Sequence, residues 1–455
     1  MTRQCRICVI GSGYVGTVVA AGLAHIGHVV IGVESDVDKL GQLQVGIAPF
    51  HESGLDELLV EGLESGRLTF RSDIAGAMAE TEVVYICVGT PPGANGEPDM
   101  RDVINVAVEV AMHVDGHVLV NKSTVPGGSG RWLSSLVEES TPTGGPTGRF
   151  CVVSNPEFLR EGSAIDDFLR PDRIVLGSDS ERALDIMVDI YRPVIEASET
   201  PVPVVRTDLV TAEVLKYASN AFLATKISFA NELARMCELM GADVCRVTEG
   251  MGLDHRIGKE FLSAGLGWGG SCFGKDTAAL TATARAYGYR ARLLEAAIEV
   301  NHDQRSHVIE LLQRHFHTLR GLRVTVLGLA FKPGTDDMRD SPAVDVVERL
   351  IGHGCFVSAH DPSISNLPEH PEVKVFSDPY AAVQRAEAVI IATDWPLYGQ
   401  LDLPRLAMQS PGALLLDARN IVDPMTASAA GFHYQGIGRE LQSLVDRRRI
   451  AAGTG

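Results

Sequence analysis

The sequence predicts an α/β protein in which two doubly wound domains are joined by a central helical domain with a long linking helix. Short apolar runs without polar alternation are separated by helical stretches in the N-terminal part of the chain, and this pattern returns in the last third. Between the two parts lies a long stretch that contains neither proline nor glycine. Unbroken apolar runs separated by helices are typical of parallel sheets that are covered on both faces.

The N-terminal domain is predicted to span residues 1–206. It opens with the apolar run RICVIGSG, which reads as a buried strand, and an Ala- and Val-rich helix follows from Gly16 to Gly27. Later strands are predicted at VVIGVES, TEVVYICVGTPP and GHVLVNKSTVP. Strands that alternate with helices in this way indicate a parallel sheet.

The central domain is predicted to span residues 207–319. A single helix is expected from Thr207 to about Met240, with Thr207 or Asp208 as its N-cap and Gly241 as its stop. Such a helix would be ~50 Å long. That is more than one small domain requires, so we expect it to link two domains and to form a dimer interface. A second helical region is expected from about Arg292 to Leu319.

The C-terminal domain is predicted to span residues 320–440, and residues 441–455 are expected to form a loosely ordered tail. Four runs in this part each read as a strand that ends in a polar loop, namely RVTVLGLAF, CFVSAHDP, EAVIIATDWP and ALLLDARN. The alternation therefore predicts a second doubly wound sheet.

Composition restricts the classes of partner. The chain has 455 residues, 45% of them hydrophobic, and a formal net charge of −18. A nucleic acid is not expected as a partner, because binding to phosphate backbones needs a basic surface. The sequence has neither a run long enough to cross a membrane nor a signal-peptide layout, which makes a cytoplasmic enzyme the default prediction.

The eight cysteines are scattered, and most lie in apolar runs where Cys acts as a small hydrophobe. Cys5 and Cys8 have C-x-x-C spacing but lie at the start of a strand, so we expect them to pack in the core. Neither a metal site nor a disulfide framework is predicted.

A glycine fingerprint, G-S-G-Y-V-G, lies between the first predicted strand and helix. Gly11 permits the tight turn, Gly13 allows a pyrophosphate close to the backbone, and Gly16 lets helix and strand pack. Glu34 closes the second strand and can accept hydrogen bonds from ribose hydroxyls. An acid at this place favours NAD, because a 2′-phosphate would be repelled. The domain is therefore expected to be Rossmann-like and to bind NAD.

The last third carries only G-L-A-F-K-P-G after its first strand, so the third glycine of the fingerprint is missing. A phosphate ligand other than a second dinucleotide is therefore favoured there. Lys332, Arg339 and Arg419 fall in the loops where open α/β sheets place their ligands. Each of them taken alone is more often a solvated surface charge.

Three further groups of residues are candidates for a site. In GLGWGGSCFGKD, the glycines around Cys272 suit either a linker with an incidental thiol or a backbone cradle around a nucleophile. Glu157 and Glu161 would share a helix face if NPEFLREG were helical, or could decorate a helix start. Lys216 and Asn220 share a face of the long helix, which is usually a surface arrangement.

A nucleophilic Cys beside a nucleotide cofactor would suit the oxidation of an aldehyde. The Cys would hold the aldehyde as a thiohemiacetal, which is oxidised to a thioester and then hydrolysed.

Ordered motifs along nearly the whole chain carry a family resemblance. They are GSGYVG, CVGTP, STVP, NPEFLREG, PDRIVLG, LKYASNAFLATKISFANELA, RIGKEFL, GGSCF-x-KD and FKPGTDDMRDSPA. With these motifs the chain resembles the UDP-glucose/GDP-mannose dehydrogenase family. The resemblance implies four-electron oxidation of a nucleotide sugar at C6 to the carboxylate, with two NAD consumed and two NADH released per turnover.

The resemblance also implies roles for residues. Cys272 is similar to the family nucleophile, which forms the thiohemiacetal and the thioester. Lys216, Asn220 and Asp276 match the group that stabilises the C6 oxyanion and positions or activates water. Glu161 and Thr124 match residues near the transferring proton and the water, and Glu157 matches a substrate contact that assists thioester hydrolysis. The base in each half-reaction stays open.

Binding residues are implied in the same way. For NAD they are Gly11, Gly13, Tyr14, Val15, Gly16, Glu34, Lys39, Val88, Gly89, Thr90, Thr124, Glu161, Lys275 and Arg339. For the nucleotide sugar they are Glu157, Phe158, Leu159, Lys216, Asn220, Arg256, Phe261, Leu262, Gly265, Gly267, Trp268, Gly269, Cys272, Phe273, Lys332 and Arg419. Arg256 resembles an arginine that reaches the substrate of a neighbouring subunit, which supports a homodimer built on the long helix.

Two positions depart from the family pattern. Gly274 stands where many relatives have Pro, and Trp268 stands where Phe or Tyr is usual. The larger ring leaves the choice between uracil and thymine open, whereas Phe273 favours UDP-glucose, and hence UDP-glucuronate as product, over GDP-mannose. The alternatives are the same chemistry on dTDP-glucose or GDP-mannose, a simpler hydroxyacid-type dehydrogenase, and a regulatory protein that binds nucleotide sugars without turnover.

Overall fold

The computed structural model describes residues 3–93, 96–142 and 150–439, so the predicted tail at 441–455 lies outside the described residues. The chain divides into two compact units. The first runs to Ser219 and includes Ala278–Tyr289, and the second contains Asn220–Thr277 and continues from Arg290.

The first unit contains one eight-stranded sheet. Its strands are β1 (Arg6–Ile10), β2 (Val29–Val33), β3 (Leu68–Arg71), β4 (Val83–Ile86), β5 (Val118–Asn121), β6 (Cys151–Ser154), β7 (Ile174–Gly177) and β8 (Val204–Thr207). The order is β3-β2-β1-β4-β5-β6-β7-β8, and neighbours run parallel except β6 and β7. The strand order reverses between β1 and β4, and such a reversal opens a crevice at the carboxyl edge of a sheet.

Helices of the first unit cover both faces of this sheet. They are α1 (Tyr14–His25), α2 (Val37–Gln44), α3 (Leu55–Glu64), α4 (Ile74–Ala79), α5 (Arg101–Ala111), α6 (Ser129–Ser140), α7 (Ala164–Leu169) and α8 (Glu181–Ala197). Strand β1 shows why the apolar runs are unbroken. Ile7 and Val9 belong to the core on one face, whereas Cys8 and Ile10 belong to the core on the other. A strand buried on both faces needs an apolar residue at every position.

Helices follow in the middle of the chain, where α9 (Leu209–Met240) crosses from the first unit into the second. The others are α10 (Val244–Gly252), α11 (Gly270–Ala286) and α12 (Arg292–His315). The predicted long helix is confirmed. Asp208 caps it by accepting a hydrogen bond from the Thr211 N–H at 3.0 Å, and Gly241 follows its end with φ of +73°.

The second unit contains a six-stranded, all-parallel sheet in the order β11-β10-β9-β12-β13-β14. Its strands are β9 (Arg323–Leu327), β10 (Phe356–His360), β11 (Lys374–Phe376), β12 (Ala388–Ile391), β13 (Leu414–Asp417) and β14 (His433–Gly436). Its helices are α13 (Pro342–Gly352), α14 (Pro379–Ala382), α15 (Pro396–Gly399), α16 (Leu403–Gln409) and α17 (Pro424–Ala429). The strand order again reverses between the first and fourth strands, so the prediction of two doubly wound sheets and a helical middle region is confirmed.

One local alternative is wrong. Residues 155–163, which include all of NPEFLREG, form a loop with turns and not a helix, so Glu157 and Glu161 do not share a helix face. Across the described parts of the chain, no helix is both long and apolar enough to span a membrane.

Candidate active site

The glycine fingerprint forms the turn between β1 and α1. Gly11 has φ of +90°, and its N–H donates to the Val33 carbonyl oxygen at 2.9 Å. A Cβ on Gly16 would collide with the Gly11 carbonyl oxygen, whereas a Cβ on Gly13 would meet no protein atom within 4 Å. Gly16 therefore serves packing, and Gly13 leaves open space at the N-terminus of α1. Such a place suits a phosphate, because helix N-termini present N–H groups and a positive dipole end.

Glu34 follows β2 and is 8% exposed. Its Oε2 accepts a hydrogen bond from the Ser12 N–H at 3.2 Å, and its Oε1 accepts one from the Asp36 N–H at 2.9 Å. The carboxylate is thereby held beside the fingerprint turn, where an acid receives ribose hydroxyls in dinucleotide sites. Lys39 lies exposed on α2. The turn, the open space and the acid together fit NAD.

Two loops at the carboxyl edge of the same sheet are joined by a hydrogen bond. The Thr90 Oγ1 donates to the Thr124 carbonyl oxygen at 2.9 Å, which links the loop after β4 to the loop after β5. Val88 and Gly89 precede Thr90 in the first of these loops, and Tyr14 and Val15 begin α1. The structure thus brings these predicted cofactor residues to one edge, on either side of the strand-order reversal.

Glu157 and Lys216 form a buried ion pair. The Lys216 Nζ lies 2.8 Å from the Glu157 Oε1, and each side chain is 6% exposed. The Glu157 Oε2 also accepts a hydrogen bond from the Leu159 N–H at 2.7 Å. Burial alone would raise the pKa of Glu157, but Lys216, the Leu159 N–H and Lys122 together hold it below its usual value. Glu157 is therefore a carboxylate at neutral pH.

The ring of Phe158 packs against two cations. The Arg173 guanidinium carbon lies 3.8 Å from the ring centroid, and the Lys216 Nζ lies 5.4 Å from it. Both distances are within the range of cation–π attraction. Phe158 thus helps to hold Lys216, and Glu161 follows three residues later on the same loop.

In the second unit, three of the predicted site residues form a polar cluster. The Asn220 Nδ2 donates to the Asp276 Oδ2 at 2.6 Å, and the Lys275 Nζ donates to the Asp276 Oδ1 at 2.7 Å. Asn220 and Asp276 are both buried. Asp276 therefore orients the Asn220 amide while its own charge is balanced by Lys275.

Cys272 lies in the first turn of α11, which begins at Gly270. Its Sγ is 3.6 Å from the Ser271 Oγ. Asp276 is four residues further along the same helix, which places it on the same helix face. The positive dipole end of a helix favours an anion, so this position would stabilise a thiolate over a thiol. The stretch is therefore a helix N-terminus built around a thiol, and the interpretation as a linker is wrong.

All four glycines from Gly265 to Cys272 pack against protein. A Cβ added to any of them would come within 3.0 Å of a neighbouring protein atom in the same unit. The pairs are Gly265 with Ala418, Gly267 with Asn301, Gly269 with Asp340, and Gly270 with Phe331. These glycines are needed for close packing within the protein, a use that the sequence analysis did not foresee.

Trp268 is buried, and its polar groups have partners. Its backbone N–H donates to the Asn301 Oδ1 at 2.7 Å, and its indole Nε1 donates to the Ser228 Oγ at 3.0 Å. The indole and the Phe273 ring meet edge to face at a centroid distance of 6.5 Å. The Phe273 ring also lies 6.1 Å from the Phe261 ring. The larger ring at 268 is thus accommodated by a hydrogen bond to α9.

Gly274 lies inside α11. A Cβ there would approach the Asp340 Oδ2 at 3.1 Å and the Trp268 ring at 3.8 Å. The helix therefore constrains the backbone beside Cys272.

Predicted phosphate ligands lie at the carboxyl edge of the second sheet. Lys332 follows β9, and Arg419 follows β13, where its Nε donates to the Ala392 carbonyl oxygen at 2.7 Å.

Two other predicted cations pair with aspartates close in sequence. Arg339 lies 2.7 Å from Asp337, and Arg256 lies 2.6 Å from Asp254, with both arginines exposed. Leu262 is buried.

The second sheet repeats the turn of the first without a fingerprint. Gly328 has φ of +99°, and its N–H donates to the His360 carbonyl oxygen at 2.8 Å, as Gly11 does with Val33. Asp361 follows β10 as Glu34 follows β2. Its Oδ2 accepts hydrogen bonds from the Leu329 N–H at 2.8 Å and the Ala330 N–H at 3.1 Å. The Trp395 Nε1 donates to the same oxygen at 3.2 Å.

Two buried carboxylates, Glu52 and Glu213, were not predicted from the sequence. Glu52 accepts hydrogen bonds from the Tyr14 hydroxyl, the Gly162 N–H and the Ala164 N–H. Glu213 accepts hydrogen bonds from the N–H groups of the segment that follows Thr124. Glu213 precedes Lys216 by one helical turn, so the helical periodicity could have indicated it. Glu52 lies in a polar loop, where no local pattern marks it.

Domain descriptions of one protein family match this chain in three successive segments. The UDP-glucose/GDP-mannose dehydrogenase NAD binding domain matches residues 5–195, the central domain matches 210–303, and the UDP binding domain matches 325–424.

Curated relatives are similar over nearly the whole chain. UDP-glucose 6-dehydrogenase TuaD of Bacillus subtilis (strain 168) is 42% identical over 442 residues, which are 95% of this chain and 93% of the relative. UDP-glucose 6-dehydrogenase of Rhizobium meliloti (strain 1021) is 44% identical over 442 residues, with 95% and 99% of the two chains covered. A solved UDP-glucose dehydrogenase from the hyperthermophilic archaeon Pyrobaculum islandicum superposes with a TM-score of 0.87 at 38% identity, covering 96% of this chain and 98% of that one.

Proposed function

Because this chain belongs to the UDP-glucose/GDP-mannose dehydrogenase family, we propose that it is an NAD-dependent UDP-glucose 6-dehydrogenase that converts UDP-glucose to UDP-glucuronate. The observation that carries the chemistry is Cys272 in the first turn of α11, with Asp276 one turn further on and bonded to Asn220. The curated relatives favour UDP-glucose over dTDP-glucose and GDP-mannose. A simple hydroxyacid dehydrogenase would have no use for this thiol.

The cofactor would be held by the fingerprint turn, the N-terminus of α1 and Glu34. When bound there, NAD accepts a hydride in each of two oxidations. Gly13 leaves room for the pyrophosphate, and the carboxylate of Glu34 receives the adenosine ribose. The loops that carry Thr90 and Thr124 close the same edge of the sheet.

Cys272 is proposed to retain the intermediate between the two oxidations. The first oxidation turns the C6 alcohol into an aldehyde. The Cys272 thiolate adds to the aldehyde carbon, and the carbonyl oxygen takes up a proton to give a thiohemiacetal. The second oxidation gives a thioester. Attack by water then breaks the carbon–sulfur bond, which releases the C6 carboxylate and restores the thiol.

The proposed supporting residues act on charge and on water. Lys216 and Asn220 carry N–H donors that stabilise the oxyanion formed at C6 in the additions. Asp276 orients Asn220 and assists the attacking water. Thr124 and Glu161 serve the transferring proton and the water, and Glu157 contacts the sugar and holds Lys216 charged.

The nucleotide end of the substrate is proposed to bind at the carboxyl edge of the second sheet, where Lys332 and Arg419 would meet the diphosphate. Open α/β sheets place ligands at this edge, beside the reversal of strand order. The segment from Phe261 to Gly269 would contact the nucleotide sugar, and the side chain of Trp268 within it is buried.

A homodimer is proposed through α9. Phe222, Phe229 and Met236 lie seven residues apart on this helix and are 66%, 46% and 47% exposed. Seven residues make about two helical turns, so the three side chains form one stripe along the helix. An exposed apolar stripe indicates a surface that associates. Arg256, exposed and held by Asp254, is the proposed contact to the substrate of the other subunit.

The decisive experiment combines stoichiometry with a substrate panel. Purified protein should form about two NADH for each UDP-glucose consumed, and Cys272→Ala should abolish formation of the acid. A ratio near one with accumulating aldehyde would refute the thioester step.

Comparison of kcat/KM for UDP-glucose, dTDP-glucose and GDP-mannose tests which substrate is preferred, since specificity is the ratio of these constants. Tight binding of UDP-glucose without turnover would support a regulatory protein instead.

A further inference from the structure

Glu213 is buried on α9, one helical turn before Lys216, with 4% of its surface exposed. Its Oε2 accepts a hydrogen bond from the Gly128 N–H at 2.6 Å. Its Oε1 accepts one from the Gly130 N–H at 2.7 Å and one from the Ser154 Oγ at 3.0 Å. We propose that Glu213 is a positioning residue that fixes Lys216 and Thr124 relative to each other. The inference rests on the proposed function, which gives these two residues their roles.

The first two bonds make Glu213 a remote cap for α6. This helix starts at Ser129 after Gly128, which has no side chain with which to cap it. The N–H groups at a helix start otherwise lack acceptors, and a carboxylate there also meets the positive end of the helix dipole. Glu213 therefore ties α9 to the start of α6, and with it to the loop that carries Thr124.

The close fit at Gly130 shows that this contact is built into the fold. A Cβ on Gly130 would lie 2.9 Å from the Glu213 Oε1 and 3.0 Å from the Ser154 Oγ. Only glycine lets the first turn of α6 approach the carboxylate this closely.

The third bond reaches the start of the loop at residues 155–163, here called the acidic loop because it carries Glu157 and Glu161. Ser154 ends β6, and the chain continues through Asn155 to Glu157, the buried partner of Lys216. The segments that carry Thr124, Glu157 and Lys216 thus all meet at one carboxylate.

Burial raises the pKa of Glu213, against the effect of its hydrogen bonds. The hydrogen bonds to this carboxylate come from two backbone N–H groups and a hydroxyl, all of them neutral.

A small cavity lies where Glu213, Lys216 and Thr124 come together. It has a volume of about 10 Å³, and Glu213, Lys216, Thr124 and Ser154 all line it. The carboxylate and the two residues that it is proposed to position therefore face the same space.

The test compares Glu213→Gln and Glu213→Ala with Glu238→Gln. Glu238 is the matched control, because it is a largely buried carboxylate on the same helix that also accepts a backbone N–H, from Gly438 at 3.0 Å. A misplacement of about 1 Å can lower a rate ~100-fold. We expect kcat to fall about 100-fold in Glu213→Ala and less in Glu213→Gln, which keeps one acceptor. The KM for NAD should stay within about threefold, and Glu238→Gln should keep the wild-type kcat.

The inference is overturned if folded Glu213→Gln and Glu213→Ala both keep kcat within about twofold of wild type. It is also overturned if Glu238→Gln loses as much activity as they do, since that is the result of general destabilisation. If Glu213→Ala does not fold, the comparison of Glu213→Gln with Glu238→Gln decides.

A readout without substrate separates this inference from the proposed function. Hydrogen exchange of the Gly128 and Gly130 amides should accelerate in Glu213→Gln but not in Glu238→Gln. If wild-type protein does not oxidise UDP-glucose but exchange behaves in this way, the proposed function fails and the positioning contact stands. Unchanged exchange overturns the positioning contact, whatever the substrate.

Discussion

At the scale of single residues, the buried pair of Glu157 and Lys216 ties stability to pH. The pKa of Glu157 is lower in the folded protein than in the unfolded chain, where it is about 4.3. The folded state therefore binds this proton less tightly. The carboxylate stabilises the fold above the unfolded pKa, and this contribution is lost as the pH falls through the folded pKa.

Glu157→Gln should lower the free energy of unfolding at pH 7 by about 3–5 kcal/mol, because the Lys216 charge would remain buried without a counter-charge. The difference from wild type should shrink as the pH is lowered below about 4. Urea unfolding at several pH values measures both effects. Glu249→Gln, which removes an exposed ion pair with Arg246, is the control and should cost at most about 1 kcal/mol. A loss no larger than the control's would contradict the prediction.

Cys272 should be the thiol that reacts first. Burial raises the pKa of Cys5, Cys245 and Cys355 to about 11 and that of Cys8 and Cys87 to about 12. These thiols are protonated at pH 8, whereas Cys272 lies at the positive end of α11. Since the thiolate is the nucleophile, iodoacetamide at pH 8 should label Cys272 and remove activity in parallel. Peptide mass spectrometry locates the label, and labelling of another cysteine before Cys272 would contradict the assignment.

Residues with a local signature were predictable, and those with distant partners were not. The roles of Gly11 and Gly16 follow from a six-residue motif. Glu52 is bonded to Gly162, which is 110 residues away, and nothing near Glu52 in the sequence points there. Similarly, the packing of the glycines before Cys272 could not be predicted, because their partners in α12 and in loops of the second unit are distant in sequence.

At the scale of elements, α6 and α7 are among the helices of the first unit that begin without side-chain caps of their own. Gly128 precedes α6, and Ser163 precedes α7 without bonding its N–H groups. Glu213 caps the first of these helices, and Glu52 caps the second through Ala164. Each helix start is thus held by a carboxylate from elsewhere in the unit.

Glu52→Ala should loosen the start of α7 and the loop before it. Its three donors, the Tyr14 hydroxyl and the Gly162 and Ala164 N–H groups, would lose their acceptor, at about 1–3 kcal/mol for each buried donor left unpaired. We expect a lower melting temperature and faster hydrogen exchange around Gly162. Ser180→Ala removes the cap that α8 supplies for itself and is the control, with an expected cost of about 1 kcal/mol and no effect on that exchange. Unchanged exchange in Glu52→Ala would refute the cap.

The acidic loop shows where periodicity misleads. Glu157 and Glu161 have helical spacing. However, the Leu159 N–H donates to the Glu157 side chain, which holds the backbone at Glu157 in a turn and not in a helix. A side-chain bond of this kind competes with helical bonds, and sequence spacing cannot reveal it.

At the scale of the whole molecule, the stripe on α9 predicts association. Phe222→Glu and Phe229→Glu should each shift the sedimenting species from twice the chain mass towards one chain mass, because a charge would replace a buried contact. Phe356→Glu is the control, since Phe356 is as exposed as Phe222 but lies on β10. A wild-type protein that sediments as a monomer would refute the proposed interface.

The overall architecture was the most predictable level. Apolar runs such as RVTVLGLAF predicted strands buried on both faces, and the long run without Gly or Pro predicted α9; both predictions are confirmed. Strand order could not be obtained from periodicity, and neither could the antiparallel contact of β6 and β7, because both depend on which strands meet in space.

The similar turns of the two sheets have a consequence for cofactor binding. Glu34 and Asp361 occupy the same place after the second strand of their sheets. The Asp361 Oδ2 is already bonded to two backbone N–H groups and an indole, so it has little capacity left for a sugar hydroxyl. Restoring a glycine fingerprint after β9 would therefore not recruit a second NAD. The second turn therefore differs from an NAD site in the hydrogen bonds of Asp361 as well as in the missing glycine.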